Sequence, residues 1–156
     1  KALFLLPEDL DGKFTGVSRF WGIDANALKA ELDVSYRYGT KLEASAKVGY
    51  HRWKTADGGE TISYNRPQWE GGANIRYMPV RPFTLEAGYE FAAGREYSNL
   101  GKLSDIHLVH LKASYAFTSW FSLYGLTDNV LNRKYDILYG MPAQGINFMF
   151  GVDLKF

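Results

Sequence analysis

Strict alternation of apolar and polar residues constrains this chain more than any other feature. Over most of its 156 residues the oily side chains return at every second position. That is the period of a half-buried β-strand and not of a helix. From Leu28 the even positions carry Leu28, Ala30, Leu32, Val34, Tyr36 and Tyr38, with Lys29, Glu31, Asp33, Ser35 and Arg37 between them. After Gly39 and Thr40 the pattern resumes with Leu42, Ala44, Ala46, Val48 and Tyr50 against Glu43, Ser45, Lys47, Gly49 and His51. Further runs span Trp69 to Tyr77, Phe83 to Phe91, Val109 to Phe117, and Ile146 to Phe156. Two weaker strands, Phe14 to Trp21 and Phe121 to about Val130, bring the expected number to eight, the facing of the second being unsettled by pattern alone.

These strands are long. Strands of ~9–11 residues cross a bilayer, whereas strands of soluble folds average ~5–6. The connections between them alternate in length. Residues 39–41, 78–82 and 118–120 make short links, while 54–66, 94–103 and 132–143 make long ones. Only 22–26, nearest the N-terminus, breaks the rule. Barrels of the bacterial outer membrane sort their loops in this way, with short periplasmic turns and long extracellular loops. A periplasmic C-terminus places every long loop outside.

Aromatic residues make up 16% of the chain and gather near strand ends. Tyr36, Tyr38, Tyr77, Phe83, Phe117, Trp120, Phe121 and Phe156 fall at the short-turn rim; Trp21, Tyr50, Trp53, Trp69, Phe91 and Tyr97 fall at the other. Rings with an apolar body and a polar tip favour both membrane–water boundaries. The expected fold is therefore an all-β, antiparallel transmembrane barrel, residues 1–156 forming one barrel domain or barrel segment without a plug domain. Its lumen would carry Lys29, Glu31, Asp33, Arg37, Glu43, Lys47, Glu70, Arg76, Glu86, Glu90, Lys112, Asp153 and Lys155, whose signs nearly balance. A soluble lipocalin-like carrier would turn the same faces the other way, oily side inward.

Charge and composition exclude several other classes. A net charge of +1 without a run of Lys and Arg offers no nucleic-acid footprint. Zero cysteines exclude disulfides and thiolate chemistry. The three histidines show no metal-ligand spacing, and His107 lies on the opposite strand face from His110. Glu86 and Glu90 sit four residues apart, ~13 Å along a strand, too far for a carboxylate dyad. No catalytic group, metal or cofactor is expected.

The C-terminal quarter resembles a known family. Residues 120–135 read WFSLYGLTDNVLNRKY. They are similar to the end of TonB-dependent outer-membrane receptors, where a penultimate strand runs into an Asn-Leu-hydrophobic-(Asp/Asn)-(Arg/Lys)-x-Tyr segment. Here Asn129, Val130, Leu131, Asn132, Arg133, Lys134 and Tyr135 occupy it, with Val130 where Leu is usual. Gly140 to Gly145 looks like the family's G-x-P-x-x-G bend, and the form from Tyr139 to Asn147 is similar to receptors of the Bacteroidota type. The physical reading of residues 129–135 is a strand-ending turn, because Asn and Asp bond their own backbone.

The resemblance implies nutrient import across the outer membrane, driven by TonB acting on a plug inside a barrel of about twenty-two strands. Eight strands closed on themselves leave an interior that side chains fill. The chain is accordingly expected to be the C-terminal wall of such a receptor and not transport-competent alone. The alternatives are a complete eight-stranded barrel with a structural, adhesive or membrane-modifying role, and the lipocalin-like carrier. Implied partners are outer-membrane lipids, the barrel-assembly machinery, and TonB and a surface lipoprotein acting through the full-length parent. Ligand contacts are expected from the outer loops, at Arg52, Trp53, Lys54, Tyr64, Arg95, Tyr97, Tyr135, Tyr139 and Gln144. Phe148, Phe150, Val152, Leu154 and Phe156 resemble the terminal signal read during barrel assembly.

Overall fold

A computed structural model describes residues 2–7, 18–23, 25–55, 66–96 and 101–155. Among them are eleven strands: β1 (Ala2–Pro7), β2 (Ser18–Ile23), β3 (Ala25–Tyr38), β4 (Leu42–Thr55), β5 (Trp69–Val80), β6 (Phe83–Ala93), β7 (Ile106–Ala116), β8 (Phe121–Asp128), β9 (Asp136–Leu138), β10 (Met141–Pro142) and β11 (Asn147–Leu154). Seven form one antiparallel sheet in the order β11-β8-β7-β6-β5-β4-β3. The period-2 runs and these strands coincide, because burial of one face fixes register wherever alternation is strict.

The sheet does not close into a barrel: β3 and β11 are edge strands. The eighth expected strand does not join it. Ser18–Ile23 pairs with Ala2–Pro7 in a separate two-stranded sheet, Ala2 opposite Ile23 and Pro7 opposite Ser18. Residues 14–17 of that expected strand lie outside the described residues. The β1 stretch ALFLLP is continuously apolar and has no alternation to betray it.

Register keeps the two expected faces apart across the whole sheet. One polar row runs Arg37, Glu43, Arg76, Glu86, Lys112 from β3 to β7. The apolar row beside it runs Tyr36, Ala44, Ile75, Ala87, Leu111. On β8 and β11 the faces continue as Ser122, Tyr124, Leu126 and Asp128 opposite Asp153, Gly151, Met149 and Asn147, against Leu123, Gly125 and Thr127 opposite Val152, Phe150 and Phe148. This settles the facing of β8, whose Tyr124 and Leu126 lie on the polar side and Gly125 and Thr127 on the apolar side. Two glycines there accept a ring from the neighbouring strand. Phe150 lies 3.1 Å from where a Cβ on Gly125 would stand, and the Tyr124 ring occupies that place at Gly151.

The rims differ as the connection lengths predict. Short links of residues 39–41, 81–82 and 117–120 join β3–β4, β5–β6 and β7–β8 at one rim. Gly39 turns the first with φ 54°, a region open to glycine at little cost. β5 runs past its expected end at Tyr77 to Val80 through a register irregularity, where Met78 N donates to Lys41 O at 2.7 Å. Long connections occupy the other rim, and β9 pairs with β10 inside the last of them. Aromatic clusters mark the short-turn rim, with Phe117 4.8 Å from Tyr115 and 5.5 Å from Phe121, centroid to centroid. At the other rim Tyr50 and Trp69 stand 4.8 Å apart. Trp53 departs from that belt: it pairs with Ala27 and lies on the polar face, because its odd position shares the parity of His51 and Lys47. Phe156, Trp21 and Tyr97, the other belt residues named at the rims, lie outside the residues whose side chains are described.

Candidate functional site

The polar face is organised as a ladder of opposite charges. Arg37 Nε lies 3.0 Å from Glu43, Arg76 Nε 3.4 Å from Glu86, and Lys112 Nζ 3.9 Å from the other oxygen of Glu86. Glu86 therefore answers to two cations, and it forms no dyad with Glu90. Cross-strand pairs of opposite sign are favourable in themselves, and in a lumen they leave little net field. Lys112 also stands 5.5 Å above the Tyr124 ring.

Toward the long-loop rim the balance shifts to carboxylates. His110 Nδ1 meets Asp128 at 3.2 Å, with Glu90 3.8 Å from its Nε2. His51 Nε2 lies 3.1 Å from Glu70. Lys29 pairs with Glu31 at 2.8 Å. Above these a concavity of 460 Å³ is lined by Glu31, Asp33, Lys47, Glu70, Glu90 and Tyr135. A larger one of 840 Å³ covers the charge ladder, from Arg37 and Glu43 to His110 and Asp128. Both volumes fall in the range of small-molecule sites, about 300–1,000 Å³.

Apart from Gly49 of β4, the described residues that are buried lie at the loop rim: Leu103, Arg95 at 3% exposure and Asn129 at 4%. Arg95 donates to the carbonyls of Ser104 at 3.2 Å and of Asp136 and Ile137 at 2.8 Å each. It thereby straps the β6–β7 connection to the β8–β11 connection. Burial pushes the guanidinium below its ordinary pKa, and nearby Tyr135, Asp136 and Asp105 oppose that shift. The strap is reinforced by Leu103 N to Arg95 O at 2.9 Å and Gly94 N to the Asp105 carboxylate at 3.0 Å.

Asn129 ties the second connection to itself. Its amide donates to Arg133 O at 3.0 Å and Gln144 O at 3.3 Å, and its side-chain oxygen accepts from Arg133 N at 2.9 Å. Asn132 accepts Ile146 N at 3.1 Å. Both asparagines have positive φ, 50° and 47°, which Asn tolerates better than most residues. The segment that resembles the receptor motif is thus a strand-ending knot of side-chain-to-backbone bonds, in line with its turn reading.

The expected ligand residues scatter. Tyr135 reaches the acidic concavity. Trp53, on the polar face, lies 4.9 Å beneath the Arg66 guanidinium. Arg52 and Lys54 point from the apolar face, opposite Leu28 and Asn26. Arg95 is buried among carbonyls, Tyr139 is exposed, and Gln144 is exposed with its carbonyl bonded to Asn129. Tyr64 and Tyr97 lie outside the described residues, as does Phe156 of the terminal signal. Of the other signal residues, Phe148, Phe150, Val152 and Leu154 form one exposed apolar stripe, Phe150 at 82%. Sequence reasoning missed Asp128 as the partner of His110, because the parity of β8 was unsettled.

No protein-family model and no curated protein matches the chain. Solved structures do. The chain is similar to the copper transporter OprC, with TM-score 0.75 at 16% identity, over 99% of this chain and 27% of that one. Similar too is the ferripyoverdine receptor of the outer membrane of Pseudomonas aeruginosa, with TM-score 0.72 at 18% identity, over 98% and 23%. A third is the FpvAI–pyocin S2 complex, with TM-score 0.74 at 20% identity, over 89% and 20%. The chain shares with these structures the fold of a β-barrel wall. The chain spans 20–27% of the length of these structures, and its open seven-stranded sheet corresponds to part of a barrel wall.

Proposed function

We propose that this chain is the C-terminal barrel wall of a TonB-dependent outer-membrane receptor that imports a nutrient, and that alone it transports nothing. The observation that carries the reading is a two-faced antiparallel sheet, open at both edges, that matches under a third of each receptor or transporter chain it resembles. In this reading the apolar face meets lipid and the charge ladder lines the lumen. The C-terminus and the short turns are periplasmic, and the strapped long connections are extracellular. The motif of residues 129–135 and the bend of residues 140–145 support the family. The form of Tyr139–Asn147 supports a Bacteroidota source.

The chain contributes no catalytic group in this reading; its role is to wall and bind. Tyr135 over Glu31, Asp33, Glu70 and Glu90 is the favoured ligand contact of this segment, with Trp53, Tyr64, Tyr97, Tyr139 and Gln144 around the mouth; Arg52 and Lys54, on the apolar face, turn away from it. Phe148, Phe150, Val152, Leu154 and Phe156 serve as the assembly signal. Partners are the barrel-assembly machinery, TonB and a surface lipoprotein, met by the full-length protein. The test is growth of the source bacterium on single scarce nutrients, with the parent gene intact or deleted and with TonB present or absent. A nutrient whose uptake needs both supports the proposal. An outer-membrane protein whose loss is indifferent to TonB for every nutrient would overturn it.

A further inference from the structure

The apolar face carries a small exception to its own rule. Along β3 to β8 and β11, its described positions are aliphatic, aromatic, glycine or uncharged polar until the long-loop end of β4. There stand Arg52 and Lys54, opposite Leu28 and Asn26. They are the two charged side chains of that face among the described strands, both are cationic, and neither has an ion-pair partner among the described residues.

Directly below them lies a belt of rings with polar tips. Tyr50 pairs with Trp69, their centroids 4.8 Å apart. Phe91 pairs with His107, and the Tyr89 hydroxyl and His107 Nδ1 share a hydrogen bond of 2.7 Å. A charge on a lipid-facing surface is costly unless it lies near the interface, where long side chains reach past the hydrocarbon. At the short-turn rim the described strands of this face end on aromatic or aliphatic side chains, among them Tyr38, Leu42, Val80, Phe83, Phe121 and Leu154, and none of these is a cation. An aromatic belt capped by two cations, with no anion among the described residues of the face, is complementary to an anionic headgroup seated above acyl chains.

We propose that Arg52 and Lys54, above Tyr50 and Trp69, form a docking surface for the phosphate of a lipid headgroup in the bilayer leaflet at the long-loop rim. This rests on the reading of the apolar face as lipid-facing. The acyl chains lie along Val48, Leu32 and the ring belt, and the two cations hold the phosphate where the side chains leave the hydrocarbon. A phosphomonoester is favoured over a phosphodiester, since its second charge engages the second cation.

Native mass spectrometry of the intact, delipidated protein, titrated with phosphatidic acid or with phosphatidylcholine, tests this. Two interfacial cations predict a preference for phosphatidic acid of roughly tenfold. R52Q/K54Q should bring the two lipids to near parity, and Arg52→Lys should keep the preference. Removing two cations from the opposite rim, K41Q/R81Q, should leave it intact, and inorganic phosphate in excess should not compete. Equal binding of the two lipids by the unaltered protein would overturn the proposal and leave the membrane reading standing. So would an equal loss in both double variants, or competition by inorganic phosphate. A protein that retains neither lipid and stays monodisperse without detergent would instead overturn the membrane reading itself.

Discussion

The wall and the loop rim of this molecule are held by different means. Along the wall, β3 to β8 and β11, no described side chain is buried, and order comes from register: one apolar face and one face of paired charges. At the long-loop rim, Arg95 and Asn129 are buried and each serves several backbone groups. A wall of this kind loses little when one polar partner goes, because each exposed ion pair contributes under about 1 kcal/mol. A buried donor that serves three groups cannot be removed so cheaply, since orphaned polar groups bear their full desolvation cost.

The largest expected effect follows from that contrast. Arg95→Met removes the donor from three carbonyls and should cost about 3–5 kcal/mol locally. Hydrogen exchange should accelerate in residues 94–105 and 136–138 while β5–β8 stay protected. Uniform deprotection across wall and rim would show that the two regions are not separable. Next, Phe150→Lys places a charge on the exposed apolar stripe and should cost about 2–4 kcal/mol in a bilayer if the site is near the midplane. Folding yield into vesicles reads this, and unchanged yield would contradict a lipid-facing β11.

Asn129→Ala should cost about 2–3 kcal/mol, through lost bonds to residues 133 and 144 and through a positive φ that Ala resists. Asn129→Gly relieves the backbone but not the bonds, so it should recover only part of the loss in a thermal melt. Smallest is Glu86→Gln in the ladder, at under about 1 kcal/mol. A loss as large as that of Arg95 would mean that the ladder, and not register, holds the wall.

The same contrast explains what could be read before the structure. Register and facing of β3 to β7 and β11 follow from alternation, because one residue of slip would turn every apolar side chain to the wrong face. β1 is illegible in the sequence, being apolar without a period, and so the partner of Ser18–Ile23 could not be read from it. β8 was half legible: Tyr124 and Leu126 on the polar face, with Gly125 and Thr127 on the other, blur the period. At the rim, Asn129 was visible as a strand-ending residue because Asn binds its own backbone. The strap made by Arg95 was not, since its acceptors at 104, 136 and 137 are backbone carbonyls, which carry no sequence signal.

The central claim is that the two faces of the sheet meet different solvents, and β11 offers the most direct measurement. The chain has no cysteine, so single cysteines can be placed at Asn147, Phe148, Met149, Phe150, Val152, Asp153 and Leu154 of an otherwise cysteine-free intact protein and spin-labelled in a bilayer. Labels at 148, 150, 152 and 154 should collide preferentially with dissolved oxygen. Labels at 147, 149 and 153 should collide preferentially with a water-soluble nickel chelate. Accessibility in the reverse phase, or with no period of two, would contradict the account.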